Sequence, residues 1–243
     1  MQPDFKQTIP DFKRRKAKYA PIAAALGEVY GFPEWRQWLP PMDELVSCIL
    51  SQSTTDANRD RAFDALKARF ETYEAVRDAA VEDVIEAIRP AGLANQKGPR
   101  IQDVLRRISA ERGELSIDFL RDLPMDEAKA WLTSLNGVGP KTAAIVLCFG
   151  FNRPAFPVDT HVHRVGQRIG FLPEGISADK AHPVMEAIVP PEDHLAFHLN
   201  LIRHGRETCT ARVAHCERCP LTTWCDHYGT FSQQLKQQKR KQK

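Results

Sequence analysis

Apolar residues recur at three- and four-residue spacing in one short segment after another, and this limits the fold more than any other feature of the chain. The pattern runs through DELVSCILSQ, DANRDRAFDALKARF, VEDVIEAI, IQDVLRRI, DEAKAWLTSL, KTAAIVLCF, HVHRVGQRIG and EDHLAFHLNLIRHG. A period near 3.6 gathers those side chains on one face of a helix. No sustained alternating stretch stands between them, so the expected fold class is all-α. Thr55 or Asp56, Asp126 and Asp159 read as N-caps, and Gly92, Gly150 and Gly170 sit where helices should stop. Most of the 17 prolines lie between the segments, as in LPPMD, NRPAFPVD and VPPED. There the fixed φ and missing N–H end one helix and admit the next. With 243 residues, 42% of them hydrophobic, the chain can build one large domain or two small ones with real cores.

The charge balance is close to neutral, 34 Lys plus Arg against 31 Asp plus Glu, and does not by itself imply a polyanionic partner. The distribution is more telling. KRRKAK at Lys13 to Lys18 and KQQKRKQK at Lys236 to Lys243 read either as phosphate-contacting arms or as solvated tails. No apolar run approaches the roughly 18 residues of a membrane span, and the start lacks the apolar core of an export signal. A cytoplasmic protein is expected, associated with the nucleoid if bacterial.

That compartment decides how the six cysteines read. Cys48 and Cys148 stand alone in apolar helical patterns and are expected in the core. The other four form CTARVAHCERCPLTTWC, with Cys209, Cys216, Cys219 and Cys225 separated by six, two and five residues. In a reducing compartment such a cluster reads as a metal site before a disulfide framework. One close pair with loose outer spacing suits a loop wound round an iron–sulfur cluster better than the two close pairs usual for zinc. His215 and His227 flank the loop and keep a zinc site open.

The segment LTSLNGVGPKTAA has the form of a helix–hairpin–helix: an apolar helix end, a Gly-Val-Gly turn, then a helix starting at Pro140. Gly137 and Gly139 allow a tight turn about Val138 and a close approach of a ligand. The N–H groups of the turn and of the next helix, at Lys141 and Thr142, form a nest suited to phosphate. An ordinary interhelical turn is the plainer reading of that motif. Lys141 adds to it, because an amine placed in the first turn of that helix, beside the nest, is a candidate nucleophile. Asp159, before THVHRVGQRIG, is an N-cap held rigidly enough to serve a second purpose as a carboxylate.

LNGVGPKTA, VDTHVHRV and Cys-x6-Cys-x2-Cys-x5-Cys in this order resemble the endonuclease III group of helix–hairpin–helix DNA glycosylases, from about Asp43 to Cys225. The resemblance implies a six-helix barrel over residues 34–152 and an iron–sulfur domain over 153–225. Residues 1–33 would pack with the second domain, 226–243 would form a basic tail, and the active-site cleft would lie between the domains. It implies a largely structural 4Fe–4S cluster on the four cysteines, in a loop that presents Arg212 and Arg218 to DNA. It further implies a monomer acting on double-stranded DNA with damaged pyrimidines or abasic sites, as a glycosylase and AP lyase with Lys141 as nucleophile and Asp159 as its carboxylate partner. A DNA-binding iron–sulfur protein of the same fold that has lost base excision is the alternative. With few residues following the four cysteines, the extra domain that adenine-specific relatives carry is not expected.

Other positions carry over residue by residue. AGLANQKGPRI resembles the loop that wedges a leucine into the duplex, which points to Leu93, with Gln96 and Lys97 near the phosphates; a helix C-cap followed by a new helix is its plain reading. ILSQSTTDANRDRA matches the segment whose glutamine fills the gap left by the flipped base. Here the family's Ser-Ala-Gln is Ser-Gln-Ser, so Ser53 stands at the filling position and Gln52 one residue early, about 100° away on a helix. Asn136 replaces the proline usual before the turn. Substrate and opposite-base preference are therefore expected to depend on Gln52 and Ser53.

Overall fold

The computed structural model describes residues 9–229 and Ser232; the basic stretch 236–243 lies outside them. The helices in chain order are α1 Phe12–Ala17, α2 Tyr19–Tyr30, α3 Pro41–Leu50, α4 Asp56–Arg69, α5 Tyr73–Asp78, α6 Val81–Ala87, α7 Ala94–Arg112, α8 Met125–Ser134, α9 Pro140–Ile145, α10 Thr160–Ile169, α11 Ala178–Ile188 and α12 His194–Glu207. Among the described residues the only β element is an isolated bridge between Cys209 and Ala214, so the fold is all-α. The chain divides into two compact units, Arg36–Arg153, and Met1–Trp35 with Pro154–Lys243.

In the unit Arg36–Arg153, α3 is the most enclosed helix: Leu45, Val46, Ile49 and Leu50 are fully buried. Each such side chain contributes about 1.5–3 kcal/mol on burial. Pro41 begins the helix, where its missing N–H costs nothing, and Asp43 and Glu44 complement the dipole in the first turn. Against it lies the continuation of α9, a π-helical turn Val146–Gly150 with Val146, Leu147 and Cys148 buried. The long α7 buries Ile101, Val104, Leu105 and Ile108 against α5 and α6. Gln102 on α7 donates to the carbonyls of Val76 and Ala79 at 2.9 Å, closing the C-terminal end of α5.

Of the local expectations, the choice between Thr55 and Asp56 is decided, and two others need revision. Thr55, not Asp56, caps α4, its hydroxyl accepting from Asn58 N–H at 3.3 Å. Asp126 is not a cap: α8 starts one residue earlier behind Pro124, and Asp126 sits in the first turn as a dipole partner. Gly150 ends the π turn rather than capping an α-helix, with Phe151 following it.

The second unit packs α2, α10, α11 and α12 around Ile22, Leu26, Phe156, Phe171, Met185 and Leu201. The cluster Lys13 to Lys18 is tied down here instead of forming an arm. Arg15 donates to Gly170 O, Lys16 to Ala187 O and Lys18 to Ile169 O, at 2.8–2.9 Å. These cations cap the carbonyl ends of α10 and α11, where the dipole favours them. Arg14 and Lys18 also pair with Asp226 at 3.0 and 2.6 Å.

Candidate active site and cysteine pocket

The hairpin turn follows α8. Val138 N–H returns to Leu135 O at 3.1 Å, and Gly137 takes φ +78°, a conformation side chains resist. Gly139 is the N-cap of α9, and no atom stands within 4 Å of where its Cβ would be. A ligand can therefore approach that backbone closely. Pro140 fills the first helical position, and the N–H groups of Lys141 and Thr142 lack intrahelical acceptors because they lie in the first turn. Thr142 is buried at 7% exposure while Lys141 is exposed, so the same turn anchors one side chain in the core and presents the other to solvent.

Asp159 lies at the start of α10, its Oδ1 accepting from Val162 N–H at 2.7 Å. The extended segment leading to it is pinned by three side chains of its own unit. Phe156 N–H donates to Glu186 Oε1 at 3.1 Å, Val158 N–H donates to His182 Nε2 at 3.1 Å, and His198 Nδ1 meets Pro157 O at 2.9 Å. Since His182 Nε2 accepts, its Nδ1 carries the proton and donates to Ala178 O at 2.9 Å. Burial lowers the His182 pKa, which keeps that neutral tautomer.

Cys209, Cys216, Cys219 and Cys225 are free thiols lining one pocket, with His204, His215 and His227 also on its wall. Arg168 of α10 directs Nη1 to Cys209 Sγ at 3.3 Å and to Thr210 O at 2.7 Å, and Arg164 holds Cys209 O at 3.1 Å. Burial pushes the Cys219 thiol up to about 11 and raises Cys216 and Cys225, so an occupant would have to supply positive charge to hold them as thiolates. Among the described residues no three His, Cys, Asp or Glu side chains stand as a ready-made ligand set. Four thiols around one pocket, one facing a guanidinium, nevertheless have the donor chemistry that an iron–sulfur cluster would need. Cys48 and Cys148 are buried core thiols as expected, Cys148 pushed up to about 12 by burial.

A family model described as HhH-GPD superfamily base excision DNA repair protein matches residues 46–191, over half the chain. The chain belongs to this superfamily. It is 33% identical to endonuclease III of Sulfolobus acidocaldarius over 76% of this chain and 81% of the relative, and 31% identical to that of Thermotoga maritima over 81% and 88%. An Arabidopsis thaliana protein named as a DNA glycosylase is 38% identical over 76% of this chain, which spans 66% of that relative's length. Among solved structures, a trapped covalent endonuclease III–DNA intermediate matches with TM-score 0.76 at 27% identity, covering 89% of this chain and 98% of the other. A non-covalent endonuclease III–DNA complex matches equally well, with TM-score 0.76 at 26% identity. This HhH-GPD protein is thus a base excision repair DNA glycosylase of the endonuclease III type, and DNA is its partner.

In this HhH-GPD chain the remaining candidates divide sharply. Leu93 is half exposed and takes φ +50° as the N-cap of α7, an unusual conformation for an apolar side chain, with Gln96 exposed one turn on. Lys97 is corrected: it is 1% exposed, its ammonium bound to Leu50 O at 2.7 Å and Ala91 O at 2.9 Å, so it closes the end of α3 and holds the Leu93 loop. Arg212 is exposed in a turn closed by Thr210 Oγ1 and Val213 O at 2.6 Å. Arg218 is exposed but donates to Glu207 O at 2.7 Å, at the C-terminal end of α12. Ser53 is exposed at φ +54°, while both ends of the half-buried Gln52 amide are engaged inside the unit. Sequence reasoning missed His182, His198, Glu186, Arg164 and Arg168; only their place on helix faces, without any motif, marks them.

Proposed function

We propose that this glycosylase is bifunctional, removing oxidised pyrimidines from duplex DNA and nicking the strand 3′ to the resulting abasic site. The observation that carries the reading is the exposed amine of Lys141 in the first turn behind Gly139, beside a backbone open to close approach. The damaged nucleotide leaves the stack, with Leu93 as the wedge that occupies the duplex in its place. Lys141 Nζ attacks C1′ and the base departs with the electrons of the glycosidic bond; the nitrogen lone pair then expels O4′ from C1′, O4′ takes up a proton, and the opened sugar is left as a protonated imine on Lys141. Asp159 accepts a proton in that step and stabilises the developing cation. Loss of a proton from C2′ then expels the 3′ phosphate by β-elimination, and hydrolysis of the imine returns Lys141.

Cys209, Cys216, Cys219 and Cys225 would hold a 4Fe–4S cluster, which braces the loop that carries Arg212 towards phosphate. The working form is a monomer, acting at the nucleoid in a bacterial cell. Borohydride reduction on abasic duplex tests the assignment: a covalent protein–DNA species with the wild type, absent in Lys141→Gln, is expected. Failure of the wild type to trap on any abasic duplex would leave a DNA-binding protein without lyase chemistry.

A further inference from the structure

Gln52 and Arg100 are absorbed by no part of the mechanism above, yet they join three segments of the unit Arg36–Arg153. Gln52 follows α3, and its Nε2 donates to Gly137 O in the hairpin at 2.9 Å. Its Oε1 accepts from Arg100 Nη1 at 2.8 Å. Arg100 stands on α7, two turns after Leu93, and its Cδ, Nε and Cζ lie over Gly137, where a Cβ would overlap them. Gly137 is thus held from two sides, its carbonyl by an amide and its Cα by a guanidinium. Both contacts are part-buried, so water competes poorly for them.

We infer that Gln52 and Arg100 are a positioning pair for the glycosylase reaction, fixing the hairpin that presents Lys141 and linking its geometry to the Leu93 helix. The inference rests on the function proposed above. A carbonyl turned towards Gln52 fixes the orientation of the peptide plane ahead of Val138, and with it the direction of the following N–H groups. The guanidinium does two things that a lysine ammonium cannot do together: it donates in a fixed plane to Gln52 and lies flat on a glycine. Because the Gln52 amide is committed at both ends, it does not reach into a vacated base position; it supports the hairpin, and Ser53 is the residue that remains exposed beside it.

The test uses the full chain carrying Arg100→Ala, Arg100→Lys, Gln52→Ala and the double alanine variant. Hydrogen exchange of the hairpin, residues 136–142, is read without DNA. Affinity for a duplex with a stable abasic analogue is read across a salt series. The expected result is about tenfold faster hairpin exchange and about tenfold weaker binding in each single variant, since a charge-assisted hydrogen bond is worth roughly a decade. The double variant should be no worse than either single one. Arg100→Lys should behave as Arg100→Ala, and the salt slope should match the wild type. Unchanged hairpin exchange, additive losses, wild-type behaviour of Arg100→Lys, or a slope reduced by about one for Arg100→Ala would each overturn the pair, the last by revealing a direct phosphate contact. Exchange is measured on the free protein, so the pair stands or falls there, while borohydride trapping by the wild type separately decides the lyase reading.

Discussion

Asp159 caps α10, and the catalytic role proposed for its carboxylate separates from that cap by substitution. Its carboxylate accepts from Val162 N–H, a bond that an asparagine oxygen can also make. Asp159→Asn should therefore leave the melting temperature nearly unchanged while lowering turnover about 10²- to 10⁴-fold. Asp159→Ala should lower activity as far and also cost about 1 kcal/mol of stability in a denaturant titration. Equal activity in Asp159→Asn and the wild type would remove the carboxylate from the reaction. His182 makes a second residue-scale prediction. Burial holds its pKa below the ordinary value of 6.5, so below that value the unfolded chain takes up a proton that the folded chain refuses. Stability should fall as pH drops below about 6.5, and less steeply in His182→Gln, followed by thermal melts across pH.

At the scale of elements, the hairpin is the part that tolerates least. Gly137 has φ +78° and no room for a Cβ beside Arg100, whereas Gly139 has an ordinary φ and open space. Gly137→Ala should destabilise the unit by about 1–3 kcal/mol and weaken duplex binding. Gly139→Ala should fold normally and lose binding alone, because the added methyl occupies the ligand's side of the turn. Calorimetry and anisotropy on the two variants separate these outcomes. The glycines and the lysine were legible as a motif. The partners of Gly137 were not, since Gln52 and Arg100 lie 85 and 37 positions away along the chain, and pairing over such distances follows from packing, not from local pattern. For the same reason Lys97 reads as a phosphate contact in sequence and proves to be a buried brace.

For the whole molecule, the cysteine pocket gives the most direct test of the cofactor. Purified protein should absorb broadly near 400 nm if the proposed cluster is held, and Cys216→Ser should then lose that band along with thermal stability, because a cluster bound there would contribute to folding. A colourless wild type that binds zinc instead would return the site to its alternative. A cleavage panel varied in the opposite base addresses the other open quality of the molecule. With Gln52 committed and Ser53 short, rates should differ little between opposite bases. A strong preference would show that some other residue reads the partner strand.

The sequence by itself determined the all-α class, the hairpin, the cap at Asp159, the four-cysteine loop and the family, because each is written in local spacing that any fold of this chain must respect. Helical period, glycine turns and caps depend on neighbours within a few residues, so they survive reading without coordinates. Tertiary structure alone decided which polar side chains are free to act. It turned the basic segment after Asp11 into helix caps, buried Lys97, gave Gln52 to the hairpin, and set Glu186, His182 and His198 behind Asp159. The physical reason is that a buried backbone N–H or carbonyl must find a partner. Which side chain supplies that partner depends on how distant helices pack, and no short stretch of sequence records it.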